Sequence, residues 1–194
     1  MENNIQIRES VPSDWPAIAL LYPEAFPDED LLPLVKDLLG EALDLLSLVA
    51  TIDSQLVGHV IFTKCGVDGR SGKAALLGPL AVAPAWQRQG IGSALVRADL
   101  QRLEDASVSH VYVLGDRDYY GRHGFLPESS LAPPYPLPAE WDGAWQSKSL
   151  RGAATPPFPT PPVAPAGLVG TVSRRPATAF APASPLGAPC ASDA

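Results

Sequence analysis

The stretch LLGPLAVAPAWQRQGIGSAL, residues 76–95, decides the fold. It opens inside an apolar run, Ala74 to Val82, that only Gly78 and Pro79 interrupt, which predicts a central strand with an irregularity in its middle. A short loop follows. Gly90 and Gly92 then open a helix directly after Gln87-Arg88-Gln89, with Ile91, Leu95, Ala98 and Leu103 spaced to face inward as far as about Asp105. Amides at a helix start have no partner inside the helix and point outward, and glycines let a ligand approach that backbone closely. Arg88 adds a cation, and the helix dipole adds roughly half a positive charge at that end. Together these features predict a site for a pyrophosphate.

Spacing separates this pattern from two other nucleotide sites. A dinucleotide fingerprint needs a third glycine where Leu95 stands. A P-loop needs four residues between its first glycine and Gly-Lys-Ser/Thr, whereas Gly66 to Gly72-Lys73 encloses five and is followed by Ala74. What remains is Gln87-x-x-Gly90-x-Gly92 after a kinked strand.

Working outward, Ile5 and Ile7 predict a short strand, and Ser13-Asp14 before Trp15-Pro16 predicts a helix start, with Pro23 and Pro27 interrupting that helix. A second helix is expected from near Asp28, with Leu31, Val35, Leu38, Leu39, Ala42 and Leu46 on one face and Asp37, Glu41 and Asp44 on the other. Leu48 to Ile52 and Leu56 to Cys65 predict a hairpin joined at Asp53-Ser54-Gln55, followed by a polar, Gly-rich loop from Gly66 to Lys73. Beyond the motif, Val108 to Leu114 is a further strand. A short helix is expected around Tyr119 to Arg122, then a proline-broken loop from Pro127 to Pro138 and a last strand near Ala144 to Leu150. The fold class is therefore mixed α/β (α+β), a largely antiparallel sheet flanked by helices rather than a doubly wound parallel sheet.

The chain has 194 residues and 22 prolines. Ten of those prolines fall in residues 153–194, where 21 of 42 residues are Ala or Pro and the only charges are Arg174, Arg175 and Asp193. That composition reads as a low-complexity extension, or an end whose reading frame has drifted, and leaves residues 1–152 as the domain. Within the extension only Gly167 to Ser173 has the character of a short strand. Residues 1–152 hold 12 Lys and Arg against 20 Asp and Glu, a net of −8. Such an acidic domain repels nucleic acid and suits a cationic small molecule better. Cys65 and Cys190 make neither a disulfide framework nor a CxxC metal pair, so reduced cytoplasm is the expected compartment. MENNIQIRES lacks the basic and apolar regions of an export signal, and no run approaches the ~20 apolar residues of a membrane span.

The motif resembles that of the Gcn5-related N-acetyltransferase (GNAT) superfamily, whose acetyl-CoA signature reads Arg/Gln-x-x-Gly-x-Gly/Ala between the fourth strand and the third helix. The likeness covers residues 5 to about 125. The GPLAV before the motif, VLGD at 113–116, Tyr119-Tyr120 and Gly124-Phe125 are similar to a bacterial subgroup of largely uncharacterised acetyltransferases. The resemblance implies a GNAT fold and acetyl-CoA as cosubstrate, with no metal. It implies that the backbone of Leu80, Ala81 and Val82 pairs with the pantetheine arm, and that main-chain amides from Gln87 through Arg88, Gln89, Gly90, Ile91 and Gly92 to Ser93 hold the pyrophosphate. It places Tyr120, five residues before Phe125, as general acid to the departing thiolate, and a phenol with its usual pKa near ~10 is protonated for that task. Tyr120 also reads as an aromatic packed under the sheet edge, and Tyr119 next door could take either role. Val82 N–H becomes the donor to the developing oxyanion.

The base is less defined. Residues 74–83 contain no acid, so Asp116 and a water chain to solvent are both candidates, and Asp116 also reads as a plain turn or cap residue. His59, His110 and His123 read as structural or surface side chains. The resemblance implies an acceptor site along the first two helices, where eight acids and one base between Glu24 and Asp53 favour an amine-bearing acceptor, or simply form a solvated helix face. The expected activity is acetyl transfer from acetyl-CoA to a primary amine of a small molecule or protein by direct attack in a ternary complex, compatible with a homodimer. The alternative is a non-catalytic acyl-CoA-binding module whose tail contacts a partner.

Overall fold

A computed structural model describes residues 4–40, 45–67, 73–133, 136–138, 141, 143–150 and 172–173. Strand β1 (Gln6–Glu9) leads through a short 3-10 turn into α1 (Trp15–Ala25) and α2 (Leu32–Gly40), then β2 (Leu45–Ile52), β3 (Gln55–Val67) and β4 (Lys73–Val82). Helix α3 (Ile91–Asp105), β5 (Val108–Leu114), α4 (Arg117–Gly121), β6 (Leu126–Pro127), β7 (Trp145–Ser149) and β8 (Val172–Ser173) follow. The strands run in the order β1-β2-β3-β4-β5-β7-β6, with β8 beside β3 at Gly66 and Val67. Every pairing is antiparallel except β4 with β5.

The β2–β3 hairpin turns on two residues, not three. Asp53 and Ser54 have φ of 48° and 67° and Gln55 already pairs with Ile52, giving the primed turn whose twist matches its strands. The expected break of α1 at Pro23 does not occur. The helix runs to Ala25, because Ile18, Leu21, Tyr22 and Ala25 bury one face and outweigh one missing amide. Helix α2 is shorter than its leucine spacing predicts. It ends at Gly40, and Leu45 and Leu46 instead pair with Thr63 and Phe62 as the start of β2. Those leucines satisfy a helical or a strand period equally, and the ladder decides. Ala42, Glu41 and Asp44 of that predicted helix, most of the loop between Gly66 and Lys73, and the 153–194 extension apart from β8 lie outside the described residues.

The sheet separates two apolar layers. On one face α3 and α4 lay Ile91, Leu95, Leu103, Tyr119 and Tyr120 against the strands. On the other, α1 and α2 bring Ile18, Leu21, Tyr22 and Val35 against Val49, Ile61 and Ala81. Arg8 grips Asp14 through both guanidinium nitrogens at 2.7 Å, and Asp14 accepts a third bond from Val11 N–H at 2.8 Å. The hydrogen bonds from Arg8 hold the Asp14 carboxyl below its ordinary range and close the entry into α1.

Candidate functional site

The site begins where β4 loses a neighbour. From Ala74 to Leu77 the strand is paired on both sides, with β3 and with β5, and the parallel ladder to β5, which starts at Lys73, stops at Leu77 opposite Val113. The Gly78–Pro79 peptide, which is cis, then sits across from Ile61 as a register shift in the β3–β4 ladder. Beyond it Leu80, Ala81 and Val82 pair with Val60, His59 and Gly58 of β3, and no described strand pairs with their other edge. An open strand edge is a template for an extended chain that carries amides.

The same strand leads to the glycine motif. Pro84–Trp86 form a 3-10 turn, Arg88 has φ of 58° and Gly90 caps α3 with φ of 79°. Two left-handed residues so close together curl the backbone into the kind of concavity that binds anions. The first bond inside α3 runs from Ala94 N–H to Gly90 O at 2.9 Å, so the earlier amides lie at the open helix end. Gln87 turns inward and donates from Nε2 to Val82 O at 3.1 Å, tying the loop to the strand end, whereas Arg88 and Gln89 are exposed. Gln89 donates to Ala85 O. The fold thus brings Leu80, Ala81, Val82 and Gln87 to Ser93 into one continuous run along the strand edge and helix start.

The second glycine serves packing. A Cβ on Gly92 would lie 2.6 Å from the Tyr119 hydroxyl, while a Cβ on Gly90 would meet open space, so Gly92 is the price of seating Tyr119 under α3. Gly115 does the same for Tyr120, whose Cε2 would be 2.5 Å from an added Cβ. The two rings meet edge to face at 5.0 Å, and Tyr120 also meets Phe125 edge-on at 5.7 Å.

Asp116 lies exposed at the start of α4 and accepts from Tyr119 N–H at 2.7 Å. Its observed work is to cap the helix that carries both tyrosines. Three residues beyond those predicted support this corner. Gln146 of β7, fully buried, donates to Gly115 O at 3.2 Å. His123 packs against Tyr119 at 5.3 Å and approaches Ser93 Oγ at 3.4 Å. Lys148 donates to His123 O. None carries a local sequence signal for these hydrogen bonds, because each hydrogen-bond partner lies 25 or more residues away.

The α1–α2 connection forms an open cavity of about 320 Å3 lined by Pro23, Phe26, Asp28, Glu29, Asp30 and Leu31 among others. Burial and then Asp28 raise the Glu29 carboxyl. Among the described residues no three His, Cys, Asp or Glu side chains stand close enough to hold a metal ion, and no helix is long and apolar enough to cross a membrane.

Residues 7–125, from β1 through the Gly124-Phe125 pair, match the profile of the Acetyltransferase (GNAT) family. The chain belongs to the GNAT family. It is 34% identical over 138 residues to the uncharacterised N-acetyltransferase YhbS of Escherichia coli, covering 71% of this chain and 80% of that protein. It is 38% identical over 110 residues to the uncharacterised N-acetyltransferase YjhQ of Escherichia coli, covering 54% of this chain and 61% of YjhQ, less than two thirds of that relative's length. The solved GNAT structure of YhbS in complex with CoA superposes with a TM-score of 0.72 at 30% identity, over 87% of this chain and 88% of that one. A GNAT acetyltransferase from Brucella melitensis in complex with acetyl-CoA gives 0.63 at 27%, over 90% and 97%. As a GNAT domain the chain has the family's mostly antiparallel sheet with flanking helices, and its open β4 edge and α3 start fall inside the matched region.

Proposed function

We propose that this protein is an acetyl-CoA-dependent N-acetyltransferase of 1–152 that acts on a primary amine in a ternary complex, with 153–194 as an appended segment. The observation that carries the reading is the β4 edge at Leu80–Val82, left open beside the α3 start and the tyrosine corner. Acetyl-CoA supplies the activated acyl group and departs as a thiol. Leu80, Ala81 and Val82 pair with its amide-bearing arm, and Gln87 to Ser93 hold its pyrophosphate through main-chain amides at the positive end of α3. Val82 N–H donates to the carbonyl oxygen as negative charge grows there. Tyr120 gives its phenolic proton to the leaving sulfur. The amine's proton leaves through Asp116, whose Oδ1 also caps α4, or through water to solvent.

The acceptor enters from the α1–α2 side, where Asp28, Glu29 and Asp30 line the cavity and favour a cation. The same charge argues against a nucleic-acid partner. The compartment in this reading is the cytoplasm, where both cysteines stay reduced, and a homodimer is compatible with it. Two observations favour the rival reading of a CoA-binding module without turnover: β4 carries no carboxylate, and Asp116 is engaged as a cap.

Calorimetry with CoA and thiol release from acetyl-CoA across a panel of amines test both readings. Wild type is expected to bind CoA and to turn over at least one amine, and Tyr120→Phe to lower kcat about a hundredfold with CoA affinity kept. Tight binding with no turnover of any amine leaves the module, and failure to bind CoA removes both.

A further inference from the structure

His59 sits at the centre of β3, fully buried, across from Ala81 on the open-edged end of β4. Its Nδ1 is 2.9 Å from the Tyr22 hydroxyl on α1, and its Nε2 is 2.8 Å from Ser47 Oγ on β2. Ser10 Oγ donates to Ser47 Oγ at 2.7 Å, and Ser10 N–H to Ser47 O at 2.9 Å. The imidazole also meets the Tyr22 ring edge-on at 5.7 Å. Burial holds His59 down to about 4, so at neutral pH it is uncharged and offers one donor and one acceptor, which are what its two partners require.

A chain of four polar side chains inside an apolar layer adds less stability than hydrocarbon of the same volume, and what it adds instead is direction. Ile18, Leu21 and Ala25 hold α1 on the sheet by contacts that tolerate rotation and sliding. The bond between Tyr22 and His59 does not. Tyr22 in turn stacks on Phe26 at 6.0 Å, and Pro23 and Phe26, one and four residues after it, form part of the cavity wall.

We propose that Tyr22 and His59 are a positioning pair that fixes α1, and with it the acceptor-side wall at Pro23 to Leu32, relative to the β4 edge at Leu80 to Val82. This inference rests on the transferase reading for its functional consequence, though not for its structural one. Neither residue is assigned contact with a substrate.

The test uses the full chain with Tyr22→Phe, which removes one hydroxyl, and His59→Gln, which keeps a donor and an acceptor on a different frame. Three readouts are taken: amide hydrogen exchange, CoA affinity by calorimetry, and KM and kcat for an amine that wild type acetylates. In Tyr22→Phe, exchange over residues 15–32 is expected to quicken about tenfold, the effect of one lost buried hydrogen bond, while α3 is unchanged. CoA affinity stays within about twofold and the KM for the amine rises about tenfold. His59→Gln is expected to fall between wild type and Tyr22→Phe. Equal acceleration of α1 and α3, an unchanged KM, or failure of both variants to fold would mean that the network carries global stability, and would overturn the proposal. If wild type binds no CoA or acetylates no amine, the transferase reading fails instead, and the contrast between α1 and α3 in exchange still decides the tie.

Discussion

Gly115 shows what one methyl group can decide. Its absent side chain is the space that the Tyr120 ring occupies, so Gly115→Ala forces that ring outward. In the transferase reading this variant lowers kcat about tenfold or more while CoA affinity is retained, because Leu80–Val82 and the α3 start are untouched. Steady-state kinetics beside calorimetry check it, and a matched fall in both quantities would instead indicate loss of the fold. The dependence was half legible. Gly115-Asp116 before Tyr119-Tyr120 marks a turn into a helix, and Asp116 as a cap follows from that local pattern. That the glycine also makes room for the Tyr120 ring is set by how α4 folds back on the strand end, and that Gln146 holds its carbonyl from β7 depends on a contact 31 residues apart that no local signal carries.

Helix α3 raises a different matter along its length. Its inward face is apolar except for Asp99, which is fully buried and whose two carboxyl oxygens have no hydrogen-bond partner among the described residues. Burial raises it from 3.8 to about 8, with Arg102 opposing and Glu9 adding to the shift. Between about pH 4 and pH 8 the folded chain therefore keeps a proton that the unfolded chain has released, so this group's contribution to stability is full below that window and declines as pH rises through it. Asp99→Asn is expected to melt higher than wild type at pH 8, by a margin that closes toward pH 4. Thermal melts at several pH values check this, and parallel curves would contradict it. Asp99 was invisible as a buried residue because an aspartate on a 15-residue helix reads by default as solvated. Where elements were misjudged, as in α1 at Pro23 and α2 beyond Gly40, local period and proline rules were overruled by tertiary packing. Where they were right, as in α3 and β5, the apolar period was long and had no competitor.

Over the whole molecule, the transferase reading splits the chemistry across the sheet, with cofactor elements on α3 and α4 and acceptor elements on α1 and α2. Both sets of helices pack on β3 and β4. Among the described residues β4 has neighbours on both sides as far as Leu77 and on one side from Leu80 to Val82. For the folded chain in the absence of ligand, this stretch is a raw edge in the middle of a sheet rather than at its rim, and raw edges recruit strands from other molecules. The arm of the bound cofactor, in the reading above, takes the place of the missing strand. Concentrated protein is therefore expected to self-associate more without CoA than with it, a difference that light scattering at matched concentrations measures; equal association in both would refute it. A groove kept open for catalysis is then also an aggregation hazard, and the cosubstrate that fills it acts as the chain's own solubility guard.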